Sequence, residues 1–249
     1  MQQDFSLQDL VDEVDTPRVR TSGTWRIVVA GEFESGKSSV INAMLRDAVL
    51  PCNPGLASRP MIQITHSPTK SIDAEDRMGS SYTPHSLTEL LDHESLAMCN
   101  LRIPLGLMAG VEILEIPFHH EGGISKADLD VIGNADLIIW VTIASQAWRL
   151  SEQTIIESLP YHARERSILA ISRADKLRTG KDFDKIETRL QQDANRFFSE
   201  LVFMQASRDK LERAITDTRV WEETGGAALA SIANELVVTP MNAAKNAVE

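Results

Sequence analysis

The chain's 249 residues are 43% hydrophobic, enough to bury a sizeable core in one large domain. Its 25 basic and 36 acidic residues leave a net charge of -11, which repels phosphate backbones and anionic headgroups alike and so excludes nucleic acid and a bare membrane surface as main partners. The two cysteines, Cys52 and Cys99, fit no metal-ligand spacing or disulfide framework, and no apolar run reaches the roughly 18 residues of a membrane span. With an acidic rather than signal-like start, a soluble cytoplasmic protein without direct membrane insertion is expected.

In chain order, "DFSLQDLVDEV" places Phe5, Leu7, Leu10, Val11 and Val14 near helical spacing, which predicts an amphipathic helix and linker over 1–22. From 23 to 239, β-rich runs alternate with helical stretches: "WRIVVA" then "SSVINAML", "VEILEI" then "ISKADLDVIGNA", "DLIIWVTI" then "SEQTIIESL", "RSILAIS" then "DFDKIETRLQQDANRFF", and "LVFMQAS" then "AALASIANELV". Strands that lack polar alternation predict a mostly parallel sheet buried on both faces. The expected architecture is an α/β three-layer sandwich with one antiparallel strand pair and ligands at the C-terminal strand ends. Ser67 to Pro84, rich in Ser, Thr, Pro, Asp and Glu, reads as a surface insertion, and 240–249 as a tail.

The stretch "VVAGEFESGKSSVINAML" carries the pattern G-x-x-x-x-G-K-S/T, from Gly31 to Gly36, Lys37 and Ser38, between an apolar strand and a helical run. In such a loop, backbone N–H groups from Gly31 through Glu34, Ser35 and Gly36 into Ser38 and Ser39 cradle phosphates. The helix N-terminus adds partial positive charge, Lys37 reaches the outer phosphates, and Ser38 can ligate Mg²⁺. The motif predicts a P-loop NTPase, but alone it does not separate GTPases from ATPases or small-molecule kinases.

The surroundings do more. "GEFESGKSSVINAML" followed by "VLPCNPGLASRPMIQI", then "LRIPLGLMAGVEILEIP", "NADLIIWVTIASQAWRLSEQTII", "SILAISRADKL" and "FMQAS", resembles in order and spacing the GTPase domain of bacterial dynamin-like and Era-like P-loop GTPases. The resemblance implies GTP or GDP and Mg²⁺ as ligands. Asp175 matches the carboxylate that reads guanine N1–H and N2–H₂. Arg173 stands where a lysine packs over the base and braces the phosphate loop, though its planar fork is no drop-in replacement for an ammonium, and Ala206 would meet the base edge through its backbone. Ser58 falls at the Mg²⁺-binding switch threonine. Glu115 stands in for the aspartate of Asp-x-x-Gly, where it could hold a Mg²⁺ water, and Phe118 replaces that motif's glycine. His119, next in the chain, occupies a place from which a side chain orients the attacking water. Lys37 and His119 are thus the expected catalytic pair, and Ser38, Ser58 and Glu115 the expected metal ligands. Arg59 and Arg149 are lone arginines beside polar turns, expected to be solvated rather than to stabilise charge in the reaction.

The leading expectation is a Mg²⁺-dependent guanine-nucleotide-binding protein with slow GTP hydrolysis, acting as a molecular switch or assembly factor. A nucleotide-binding scaffold without hydrolysis and a P-loop kinase are the alternatives, the first motivated by Glu115 and Phe118. A nucleotide-dependent homodimer or a separate protein partner is compatible with either of the first two.

Overall fold

The computed structural model describes residues 24–238 apart from 53–59, 85, 88, 90–94, 107–108, 119–122 and 178. The helix expected over 1–22 and the tail over 240–249 lie outside the described residues.

Among the described residues, nine strands, β1 (Trp25–Ala30), β2 (Met61–His66), β3 (Ser71–Asp76), β4 (Ser81–Tyr82), β5 (Leu96–Ile103), β6 (Val111–Glu115), β7 (Leu137–Ile143), β8 (Ser167–Ser172) and β9 (Glu200–Phe203), form one sheet. Their order is β4-β3-β5-β2-β6-β1-β7-β8-β9. The run from β6 through β1, β7 and β8 to β9 is parallel throughout. Its strands are apolar at nearly every position because both faces are covered. On one face, Ile27, Val29 and Ile139 pack with Val40, Ile41 and Leu229, from α1 (Lys37–Leu45) and the last described α-helix. On the other, Val28, Ala30 and Trp140 pack with Ile132, Ile156 and Leu190. These come from α2 (Lys126–Gly133), α3 (Leu150–Ser158) and, after the short α4 (Tyr161–Glu165), α5 (Gly180–Asp193). The expected three-layer, mostly parallel α/β sandwich is the fold.

Beyond β6 the sheet turns mixed. β2 runs antiparallel to β6 and parallel to β5, and β3 is antiparallel to both β5 and β4. Here residues alternate: Ile62, Ile64, Cys99, Leu101 and Ile103 are buried, while Gln63, Thr65, Asn100, Arg102 and Asp73 on the opposite face are half-buried. One face of this half is therefore wet, as antiparallel pairing permits. The surface insertion expected over Ser67 to Pro84 is in fact strands β3 and β4 at the sheet edge. "SIDAED" offers only Ile72 and Ala74 as an apolar face, too little for a sequence signal, and pairing with β5 recruits it. Burial alone would raise the Asp73 carboxyl, but the Asn100 amide, 2.9 Å away, and the Arg102 guanidinium hold it below the usual range.

After β9 come α6 (Arg208–Ala214), α7 (Thr218–Glu223) and α8 (Gly226–Ala233). Together they grip the C-terminal end of α1. The Trp221 indole donates to the Ala43 carbonyl at 2.7 Å, and Arg46 donates from Nε to the Ala214 carbonyl at 2.9 Å while lying over the Trp221 ring. Such partners satisfy carbonyls that a helix end leaves orphaned. Gly226 allows this approach, since a Cβ there would run into the Ala43 carbonyl.

Candidate functional site

The loop from Gly31 to Gly36 leaves β1 at the middle of the sheet and feeds the N-terminus of α1, at the C-terminal end of the parallel strands. Two glycines make its path available. A Cβ on Gly31 would collide with the Val141 carbonyl of β7, and Gly36 takes a left-handed φ of 97° as the N-cap of α1. Glu34 shares the left-handed region at φ 56° without being glycine. Among the described residues no side chain caps α1, whose N-terminus is the end where the helix dipole favours an anion.

Lys37 lies over the loop, donating from Nζ to the carbonyls of Gly31 and Glu32, each at 3.0 Å. Ser38 donates from Oγ to both oxygens of Glu115, at 2.9 and 3.0 Å, and both residues are buried. The register of β1 with β6 sets Val29 beside Glu115, so the longer glutamate side chain is accommodated and reaches the first turn of α1. A hydroxyl and a carboxylate converging in this way are hard oxygen donors of the kind Mg²⁺ takes. Ser39 donates to Cys52 Sγ at 3.3 Å. Asn42 pins the segment after α1, donating to the Leu50 carbonyl at 2.7 Å and accepting from the Leu50 N–H at 2.9 Å. Ser58, Arg59 and His119 lie outside the described residues. Phe118 is half-buried, its ring tip facing Gly123.

The end of β8 meets the loop from the other side. Ser172 donates from Oγ to the Ser35 carbonyl at 2.5 Å, and Arg173 donates from Nη2 to the Glu34 carbonyl at 2.7 Å. Arg173 itself sits at φ 55° and opens a short turn, 174–176, that carries Asp175. The Lys176 ammonium lies 3.5 Å from the Asp175 carboxylate. Ala174 N–H donates to the Met204 carbonyl at 3.0 Å, which draws this turn against the loop after β9 that holds Ala206. Gln205, beside it, is fixed by the Thr224 carbonyl at 2.9 Å and by Lys210 Nζ at 2.8 Å. The turn that carries Arg173 and Asp175 thus meets both the loop, through Arg173, and the segment around Ala206, further along the chain, through Ala174.

The sequence reading missed a second set of contacts on the outer wall of the loop. Glu32 accepts from Arg149 Nη1 at 2.7 Å and from Ser151 Oγ at 2.6 Å. Arg149, expected to be solvated, is therefore ion-paired to the loop. Glu152, one residue beyond Ser151 and nearly inaccessible, accepts from Trp140 Nε1, Thr142 Oγ1 and the Arg149 N–H at 2.9–3.1 Å. Burial raises its carboxyl above the usual range, and these hydrogen bonds pull the other way. The Arg149-to-Glu152 spacing is a local helix-start signal, but the tether to Glu32 spans 117 residues and leaves no pattern in the chain. Ser35 Oγ is buried with no hydrogen-bond partner among the described residues.

No curated protein matches the sequence significantly. Residues 27–98 match the family model described as the dynamin family. Two solved structures of an oligomerised bacterial dynamin pair, described as providing a mechanism for long-range sensing and tethering of membranes, superpose with a TM-score of 0.62 at 17% identity. Each match covers 88% of this chain and 35% of the other, so the chain spans about a third of the length of those dynamins. Aquifex aeolicus Era bound to GDP and aluminium fluoride aligns over 76% of this chain and 55% of its own, with 14% identity and a TM-score of 0.42. No helix among the described residues is long and apolar enough to cross a membrane.

Proposed function

We propose, from a fold that is that of a P-loop GTPase domain of the bacterial dynamin type, that this chain binds a guanine nucleotide with Mg²⁺ and acts as a slow GTP hydrolase and molecular switch. The observation that carries the reading is the double engagement of one loop. Lys37 lies over the carbonyls of Gly31 and Glu32, while Ser172 and Arg173 reach the same loop from the strand end that carries Asp175. In this reading the N–H groups from Gly31 to Ser39 and the Lys37 ammonium hold the phosphates. Asp175 reads guanine N1–H and N2–H₂, Arg173 packs on the base, and Ala206 offers backbone to its edge.

Ser38 and Glu115 would hold Mg²⁺, with Ser58 as a further ligand; the ion supplies charge neutralisation of the outer phosphates. His119 is the candidate to orient the attacking water. Catalysis of this kind rests on positioning and electrostatics, and Phe118 stands where a glycine would offer its N–H to the third phosphate without a Cβ in the way. Turnover without an activator is therefore expected below about one per second.

Titration of the purified protein with fluorescent GDP, GTP and ATP, with and without Mg²⁺, tests the reading. Guanine preference, loss of binding in Lys37→Ala and a shift toward xanthine in Asp175→Asn are the expected results. Unchanged base preference in Asp175→Asn removes the base-site assignment. Phe118 and Glu115 also favour a second reading, a nucleotide-binding scaffold without hydrolysis, which equal affinities for GDP and a non-hydrolysable GTP analogue without phosphate release would support. A nucleotide-dependent homodimer or a separate protein partner would be the receiver of the switch in either case.

A further inference from the structure

The geometry points to Glu32 as a positioning residue for the nucleotide, working through Arg149 and Ser151 of the α3 start rather than by contact with phosphate. This inference rests on the nucleotide-binding reading above. Three observations converge on it. The Glu32 carboxylate is held at both oxygens, by Arg149 Nη1 at 2.7 Å and Ser151 Oγ at 2.6 Å. The Glu32 carbonyl receives Lys37 Nζ at 3.0 Å and the Ser35 N–H at 3.2 Å. One residue therefore couples the phosphate lysine to α3. The anchor is firm, because buried Glu152 ties the Arg149 N–H to Trp140 and Thr142 of β7.

The loop is thus held from two directions. Ser172 and Arg173 fix its Glu34 and Ser35 carbonyls from β8, and Arg149 and Ser151 fix Glu32 from α3. A cradle already held in its working shape spends less of the binding energy on ordering itself. Elementary electrostatics predicts the opposite effect for the same residue. Glu32 is an anion beside a site for polyphosphate, in a chain of net charge -11; acting by charge alone, its removal would tighten binding. The direction of the change therefore separates the two roles.

The test measures release of a fluorescent GDP analogue from the full chain and from Glu32→Ala, Glu32→Gln, Arg149→Ala and the Glu32→Ala/Arg149→Ala double variant. Thermal unfolding without nucleotide is recorded for each. Both single alanine variants are expected to release GDP roughly three- to tenfold faster, and the double variant no faster than the worse single one, because they break one shared contact. Glu32→Gln, which keeps one acceptor oxygen and so one of the two partners, should recover part of the loss. A half-exposed ion pair contributes little to the fold itself, so unfolding midpoints without nucleotide should move by no more than about 3 °C. Slower release from Glu32→Ala, unchanged release, or additive effects in the double variant each overturn the positioning role. If Lys37→Ala abolishes binding while the Glu32 variants match the unaltered protein, this inference alone fails; if the unaltered protein binds no guanine nucleotide, the functional reading fails and this inference with it.

Discussion

The two halves of the sheet obey different rules. From β6 to β9 the strands are parallel and covered on both faces, and the loops at their C-terminal ends are cross-braced by Lys37, Ser172, Arg173 and Glu32. From β2 to β4 the strands are mixed and one face is wet, and the tie to the other half runs through the antiparallel pairing of β2 with β6 and the hydrogen bond from Gln63 Nε2 to Glu112 at 2.6 Å. Burial on both faces forces a continuous apolar sequence and a single register, and a rigid frame can then hold a functional loop in an otherwise unfavourable shape, as at Glu34 and Arg173. A half with a wet face tolerates polar residues, and it is the half flanked by the departures at Glu115 and Phe118.

That contrast can be broken most severely at Trp140, which is fully buried in β7 and donates to Glu152. Trp140→Ala should cost about 3–5 kcal/mol, read by urea unfolding, since it leaves both a cavity and a buried carboxylate short of a donor. At the seam, if Glu115 faces Mg²⁺ as proposed, Glu115→Ala should weaken Mg²⁺-dependent nucleotide binding by roughly tenfold or more while leaving binding without Mg²⁺ nearly unchanged. Calorimetry with and without the ion separates the two.

Glu152 gives a smaller, pH-dependent effect. Its carboxyl holds a proton more tightly when folded than when unfolded, so between the ordinary carboxylate value and its raised one the native state binds more protons. Stability should therefore fall as pH rises through that window, and stop changing from this source above it. Unfolding midpoints of the unaltered protein and of Glu152→Gln across pH 4–8 should show this slope in the first and not in the second, roughly a 1.4 kcal/mol change for each unit by which the carboxyl is raised. Smallest of all, Arg102→Ala on the wet face should cost no more than about 1 kcal/mol despite the loss of its Asp73 partner, because that pair is half-exposed. A larger loss would mean that the mixed half is as tightly determined as the parallel one.

The same division governs what could be read from the chain. "WRIVVA", "DLIIWVTI" and "RSILAIS" announce buried parallel strands because nothing polar fits between two helical layers. The phosphate loop is legible because its chemistry needs glycine, lysine and serine at fixed spacing. Arg173 and Asp175 could be picked out as candidates from the order of motifs, and Arg173 donates to the Glu34 carbonyl. β3 and β4 were not legible, because their apolar face amounts to Ile72 and Ala74 and their pairing partner lies elsewhere in the chain. Nor were the Glu32 tether and the Asn42 clasp on Leu50, in which ordinary polar side chains acquire meaning only from tertiary neighbours.

The grip of Trp221 on Ala43 gives the molecule a built-in optical gauge. The helix whose N-terminus would face the phosphates in the proposed reading is nine residues, about 13 Å, long, and an indole rests on its far end. A shift of that helix on ligand binding would change the indole's hydrogen bond and its stacking with Arg46, and so the colour of its emission, which lets the protein report its own occupancy without a label.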